Sequence, residues 1–186
     1  LGVNPEAPTL LVTGGSLGAL HVNESMTGAA DALPEGAQVV HLTGRGKDEP
    51  VRAAVEAAGC SDRWHVIDYL TTMEDALAVA DLVVCRSGAG TVAEMEALGL
   101  PCIYVPLPIG NGEQRLNAAD HVAAGGAQLI DDRDFTADFV RSNVFPLLGS
   151  ARLADMAAAS QSLGRAGAAR ALADLALEQV KENGHE

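Results

Sequence analysis

Three short segments combine glycine with hydroxyl, amide or charged side chains in a way that suits a phosphate-bearing ligand. The first is GGSLGA at residues 14–19, where glycines allow a close backbone approach and Ser16 offers a hydroxyl to a phosphate oxygen. A tight strand-to-helix turn would require the same glycines. The segment matches neither G-x-G-x-x-G nor a P-loop, and no acidic residue follows the second apolar run. A nicotinamide-dependent enzyme is therefore the weaker alternative.

The second segment is CRSGAGTVAE at residues 85–94. Its glycines again permit a close approach, and the Glu94 carboxylate can accept hydrogen bonds from two adjacent ribose hydroxyls. Arg86 can neutralise a phosphate or pair with a nearby carboxylate. Thr91 and Glu94 also have the spacing of a helix-capping box, which is a purely structural alternative.

The third segment is PLPIGNGEQRLN at residues 106–117, where Glu113, Gln114 and Asn117 offer acceptors and donors to sugar hydroxyls. Helix capping by Asn111 is the structural alternative. The five histidines of the chain show no metal-ligand spacing, and no Ser–His–acid order stands out. The sequence therefore predicts a binding surface for a phosphate-bearing sugar, with no metal site and no assigned catalytic base.

These segments follow apolar runs that alternate with Ala-rich stretches, as in a parallel, doubly wound α/β sheet. Because crossovers are right-handed, the carboxyl ends of all strands, and hence all three segments, meet at one edge of the sheet. We expect strands at residues 9–13, 37–43, 64–69, 81–85, 101–105 and 127–130. We expect helices at residues 18–33, 48–59, 72–80, 91–98, 113–124, 136–147, 151–163 and 167–181.

Composition limits the classes of function. The 186 residues include 12 Lys and Arg against 25 Asp and Glu, a net charge of −13, which disfavours a general nucleic-acid binder. With 48% hydrophobic residues and no internal linker, the chain is expected to form one folded domain over residues 1–186. An anion must then be bound by local groups, since the overall charge would repel it.

Cysteine use and hydropathy indicate the compartment. Cys60, Cys85 and Cys102 lack C-x-x-C spacing, so we expect no disulfide framework, and the last two lie in apolar runs typical of a core. No apolar run approaches the length of a membrane span, which favours a cytoplasmic location. The first residue is Leu1 rather than Met, as expected of a processed or excised chain.

Taken together, the segments resemble the carboxy-terminal half of the MurG family, the UDP-N-acetylglucosamine transferases of peptidoglycan synthesis. The resemblance rests on GGSLGA at 14–19, CRSGAGTVAE at 85–94, and GLPCIYVPLP through EQRLNA at 99–118, in the family's order. It implies a Rossmann-like sheet of about six strands with C-terminal helices, one half of a two-domain glycosyltransferase of the GT-B type.

The resemblance implies a role for each matching residue around the nucleotide. Ser16 and its turn, including Gly15, would face the UDP diphosphate. Leu70 would border uracil through its backbone, with Met73 nearby, and Glu94 would hold the ribose hydroxyls. The loop around the nucleotide sugar would comprise Arg86, Ser87, Gly88, Ala89, Gly90 and Thr91.

The resemblance also implies a sugar subsite. Glu113 and Gln114 would form hydrogen bonds with hydroxyls of N-acetylglucosamine, and Asn117 would support their helix. Many family members carry Gln-Gln where this chain has Glu113-Gln114, and Gly90 stands where a larger residue such as Leu can occur.

The implied reaction moves N-acetylglucosamine from UDP to a lipid-linked muramyl-pentapeptide, converting lipid I to lipid II with inversion and without a cofactor. The amino-terminal half, which binds the acceptor, has no counterpart in these residues, so this chain alone is expected to bind the donor weakly and transfer nothing. The intact enzyme would sit peripherally on the cytoplasmic face of the plasma membrane. Another GT-B enzyme such as a glycolipid synthase, a nucleotide-sugar epimerase, and a non-catalytic UDP-sugar-binding domain remain alternatives.

Overall fold

A computed structural model describes residues 1–15, 17–109 and 111–164. Six parallel strands form one sheet in the order β3-β2-β1-β4-β5-β6. The strands are β1 (Thr9–Thr13), β2 (Gln38–Leu42), β3 (Trp64–Ile67), β4 (Leu82–Cys85), β5 (Cys102–Tyr104) and β6 (Ala127–Leu129). The predicted Rossmann-like α/β fold is confirmed. Every predicted strand is present, with β1 at its predicted bounds and the others one or two residues shorter.

The strand order reverses between β1 and β4. The chain runs outward from β1 to β3, returns beside β1, and then runs outward again to β6. Thr13 and Cys85, the last residues of β1 and β4, are register partners. The loops after these two strands leave the sheet in different directions, which opens the crevice where doubly wound folds bind ligands. The first two segments singled out in the sequence thus lie side by side.

Both faces of the sheet are covered, which explains why the strands are apolar throughout. Leu10 and Val12 of β1 belong to one core cluster, while Leu11 belongs to the cluster on the opposite face. Cys85 and Cys102 are buried in the second cluster, so the prediction that they are core residues is confirmed.

Eight α-helices are assigned in the part of the chain that the structure describes. They are α1 (Leu20–Thr27), α2 (Asp48–Ala57), α3 (Met73–Ala78), α4 (Ala89–Leu98), α5 (Glu113–Asn117), α6 (Ala119–Ala123), α7 (Ala137–Phe139) and α8 (Ala151–Leu163). Short 3-10 turns occupy Ala30–Ala32, Asp132–Asp134 and Phe145–Leu147, and a π-helical turn spans Val140–Val144. None of the described helices is long and apolar enough to cross a membrane.

Several predicted helix bounds are wrong. The helix expected at 113–124 is two short helices that meet at Ala118, and the one expected at 136–147 is a chain of α, π and 3-10 turns. The π-helical turn ends at Val144, and the 3-10 turn that follows it ends at Leu147. Pro146 lies near the start of this 3-10 turn, where the missing N–H of a proline costs little. The predicted helix at 167–181 lies outside the described residues.

Candidate functional site

A cleft of about 270 Å³ opens at the carboxyl edge of the sheet, at the reversal between β1 and β4. Its walls come from the loops after four adjacent strands and from the first turns of α3 and α4. The lining residues are Thr13, Gly15, Leu42, Gly44, Asp68, Tyr69, Leu70, Met73, Cys85, Arg86, Thr91, Glu94 and Met95. Six of the residues predicted to bind a nucleotide sugar are in this group, namely Gly15, Leu70, Met73, Arg86, Thr91 and Glu94.

The glycine-rich turn after β1 packs tightly on the loop after β2. Gly18 has φ +67°, and a Cβ on it would lie 2.0 Å from the carbonyl oxygen of Thr43. Lys47 donates a hydrogen bond from Nζ to the Leu17 carbonyl at 2.6 Å. Ser16, the predicted diphosphate ligand, lies outside the described residues. The turn needs its glycines structurally, and Gly15 also lines the cleft.

A series of hydrogen bonds between buried side chains ends at the Thr43 carbonyl, on which this turn packs. Asn23 donates from Nδ2 to the Thr43 carbonyl (3.0 Å), and its Oδ1 lies 3.0 Å from Nε2 of His41. Trp64 donates from Nε1 to Nδ1 of His41 at 3.3 Å. Burial lowers the pKa of His41 to about 3. The ring is therefore neutral with its proton on Nε2, the tautomer that satisfies both neighbours.

Helix α4 begins at Ala89 with Gly88 as its N-cap, and no side chain caps it. Val92 N–H bonds the Gly88 carbonyl at 2.9 Å, so the amides of the preceding first-turn residues have no intrahelical partner. Thr91 lies inside the first turn. The capping-box interpretation of Thr91 and Glu94 is therefore wrong, because the helix starts two residues earlier than predicted.

Glu94 lies one turn further along α4, on the wall of the cleft. Its side chain is exposed, and no hydrogen-bond or ion-pair partner for it occurs among the described residues. Val92 and Met95 of the same helix are buried, whereas Leu98 is 54% exposed. Glu94 thus lines the same cleft as the amide-rich helix start.

Arg86 is engaged with the protein itself. Its guanidinium donates to Asp132 at 2.5 Å and to the carbonyls of Val105 (3.0 Å) and Pro106 (3.1 Å). Of the two roles considered for Arg86, the structure has the ion pair with a carboxylate. The neighbouring Ser87 is fully buried, with its Oγ unpaired among the described residues.

The third segment lines a second cavity of about 460 Å³ beside the first. Gly112, with φ +77°, is the N-cap of α5, so the expected capping by Asn111 is wrong. Gln114 accepts a hydrogen bond from the Leu107 N–H (2.9 Å), which leaves its amide nitrogen for another partner. Glu113 is exposed at the cavity rim, and Asn117 donates to the Ser87 carbonyl at 3.1 Å.

Asn117 therefore links the third segment to the loop of the second. The sequence analysis missed three contributors to this edge. Arg45 lies 3.8 Å from the ring centre of Tyr69, and Asp132 pairs with Arg86 across 46 positions of the chain. Arg45, Tyr69 and Asp132 belong to none of the three segments, so the sequence alone did not single them out.

Comparison with known proteins decides the family. The profile described as Glycosyltransferase family 28 C-terminal domain matches residues 9–175. The chain belongs to this family. The resemblance of the three segments to the carboxy-terminal half of MurG is confirmed.

Two curated relatives carry the name UDP-N-acetylglucosamine--N-acetylmuramyl-(pentapeptide) pyrophosphoryl-undecaprenol N-acetylglucosamine transferase. The protein from Paenarthrobacter aurescens is 46% identical over 182 residues, covering 97% of this chain and 48% of that protein. The one from Bifidobacterium adolescentis is 50% identical over 161 residues, covering 80% and 41%. The chain thus spans about half the length of the curated relatives it matches.

Solved structures agree on the fold. Acinetobacter baumannii MurG superposes with a TM-score of 0.82 at 28% identity, covering 91% of this chain and 49% of that chain. A UDP-N-acetylglucosamine 2-epimerase superposes with a TM-score of 0.67 at 21% identity, covering 97% and 46%, a likeness of fold alone. The family assignment therefore rests on the sequence matches and on MurG.

Proposed function

We propose that residues 1–186 form the donor-binding domain of a glycosyltransferase that moves N-acetylglucosamine from UDP to lipid I, giving lipid II in peptidoglycan synthesis. The observation that carries this proposal is Glu94, an exposed carboxylate with no partner among the described residues, lining the cleft beside the start of α4, where no side chain caps the helix. The names of the relatives support the choice of donor and acceptor.

The cleft suits the nucleotide in chemical terms. Glu94 accepts hydrogen bonds from both ribose hydroxyls, and the base is bordered by the backbone of Leu70 and by Met73. The N–H groups of Ala89, Gly90 and Thr91, at the positive end of the α4 dipole, donate to the diphosphate. Local dipoles thus bind an anion although the chain carries a net charge of −13.

The same amides assist the reaction. As the bond between the sugar and the diphosphate breaks, negative charge grows on the leaving UDP, and donors already aimed at it stabilise the transition state without reorganising. The amino sugar occupies the second cavity, where the amide nitrogen of Gln114 and the carboxylate of Glu113 bind its hydroxyls. Attack by the acceptor hydroxyl from the opposite side inverts the anomeric carbon.

The acceptor and the group that takes its proton belong to the other half of the enzyme, since this chain spans 48% of its relative from Paenarthrobacter. The lipid-linked acceptor would bring that half to the cytoplasmic face of the plasma membrane. This chain alone accordingly binds the donor weakly and does not transfer the sugar.

Calorimetric titration of the purified chain with UDP-N-acetylglucosamine, with UDP-glucose and NAD as controls, tests the donor assignment. We expect binding that is selective for UDP-N-acetylglucosamine, and no transfer to lipid I. Preference for NAD, or no binding at millimolar ligand, would contradict the donor assignment. Turnover of the donor without any acceptor would instead indicate an epimerase.

A further inference from the structure

The Arg86–Asp132 ion pair stands between the two cavities. Arg86 lines the nucleotide cleft, and Asp132 lines the larger cavity next to it. Their side chains are 14% and 15% exposed, and Nη1 of Arg86 lies 2.5 Å from Oδ1 of Asp132. A pair this buried is costly to break, because removing one partner leaves an uncompensated charge.

The pair joins three loops at the carboxyl edge of the sheet. Arg86 begins the loop after β4, and Asp132 begins the 3-10 turn that follows β6. Through the same guanidinium nitrogen, Arg86 also binds the carbonyls of Val105 and Pro106 in the loop after β5. The conformations of these three loops are therefore coupled through one side chain.

The loop that Arg86 anchors leads directly into the start of α4. Ser87 comes next, held through its carbonyl by Asn117, and Gly88 is the N-cap. A shift of Arg86 is transmitted along two peptide units to the amides of the first helical turn. The anchor also fixes Pro106, which lines the second cavity with Gln114.

We propose that Asp132 is a positioning residue for the donor. By holding Arg86, it aligns the amide-rich start of α4 with the wall of the second cavity, so that nucleotide and sugar are bound together. This inference rests on the proposed function. It assigns a task to a residue that has no local motif and no predicted contact with the donor.

The affinity test is a double-mutant cycle read by titration with UDP-N-acetylglucosamine. We expect D132N and R86M each to weaken binding at least tenfold, and the double variant to be no weaker than R86M. D48N and R52M are matched controls, since Asp48 and Arg52 form a more exposed ion pair on α2 and line neither cavity. Both controls should stay within twofold of the wild type.

Two results would overturn the inference. If D132N bound the donor as well as the wild type or more tightly, the Arg86 guanidinium would not need Asp132, or would bind the diphosphate once released. If the losses from D132N and R86M added up, the two side chains would act independently. D132E, which keeps the charge, should recover most of the affinity, which a purely steric effect of the substitution would not predict.

Hydrogen exchange provides a readout that needs no ligand. In D132N, peptides covering residues 86–91 and 105–109 should exchange at least tenfold faster than in the wild type, while those covering β1 and β2 stay unchanged. D48N should show neither effect. Unchanged exchange in D132N would refute the coupling of the loops. If the wild-type chain bound no donor, the proposed function would fail while this experiment still decided the inference.

Discussion

His41 makes the stability of the fold sensitive to acid. Its Nε2–H is donated to Asn23, and its Nδ1 accepts from Trp64, so a second ring proton would face another N–H donor. Burial lowers the pKa of His41 to about 3, against 6.5 in an unfolded chain. Below pH 6.5 the unfolded chain binds a proton that the folded chain does not. Stability contributed by neutral His41 is therefore complete above that pH and is lost progressively as the pH falls toward 3.

Linkage sets the size of the effect. Between pH 7 and pH 5, a pKa difference of this size removes about 2 kcal/mol from the free energy of unfolding. Urea titrations at the two pH values measure this loss, with the fluorescence of the single tryptophan, Trp64, as the signal. His121, whose pKa burial also lowers, adds to the loss in the same direction.

The His41→Gln variant isolates the contribution of this ring. A glutamine amide can still donate to Asn23 and accept from Trp64, but it does not titrate. The loss between pH 7 and pH 5 should be smaller in this variant by about 2 kcal/mol. An equal loss in both proteins would refute the assignment of a neutral, buried His41.

Two further predictions concern backbone and side-chain packing. Gly18→Ala should destabilise the fold by more than about 2 kcal/mol, because its Cβ would collide with the Thr43 carbonyl, whereas Gly36→Ala, also at positive φ but in open space, should cost about 1 kcal/mol. Equal losses in urea unfolding would contradict the collision. Ser160→Ala removes a hydroxyl that lies 2.7 Å from Nε2 of buried His121. This substitution should lower the free energy of unfolding, measured with urea, by about 1–3 kcal/mol. An unchanged unfolding midpoint would show that the ring does not need this partner.

The order of strands and helices was predictable because buried parallel strands are apolar on both faces. Residues 10–12 and 82–84 are continuous runs of Val and Leu, and such runs have few alternatives to a central strand. Right-handed crossovers between parallel strands then place the loop after each strand at the carboxyl edge of the sheet. The group of cleft residues followed from that rule together with the glycine and polar patterns.

The start of α4 was not predictable in the same way. Thr91 and Glu94 imitate a capping box, while the residue that does cap the helix is Gly88, which contributes no side chain. A glycine between a strand and a helix favours a loop by propensity. Val92 and Met95 pack in the core cluster on this face of the sheet, and the helix that carries them begins at Ala89, two residues before its predicted start.

The Arg86–Asp132 pair could not be predicted from the sequence for a different reason. The two residues are 46 positions apart and meet only because β4, β5 and β6 are neighbours in the sheet. An arginine in a polar loop has many carboxylates within reach in a chain with 25 acidic residues. Strand order, which comes from the whole fold, selects Asp132 among them.

The most direct test of the donor assignment is the affinity of Glu94→Ala for UDP-N-acetylglucosamine. Loss of a charged acceptor for two ribose hydroxyls should cost about 1–3 kcal/mol of binding free energy, which calorimetry resolves easily. Glu74→Ala, an exposed glutamate on neighbouring α3, is the matched control and should bind like the wild type. Weakened binding in Glu94→Ala alone would support the donor site. Unchanged affinity in Glu94→Ala would contradict it, and an equal loss in both variants would point to a general effect of surface charge.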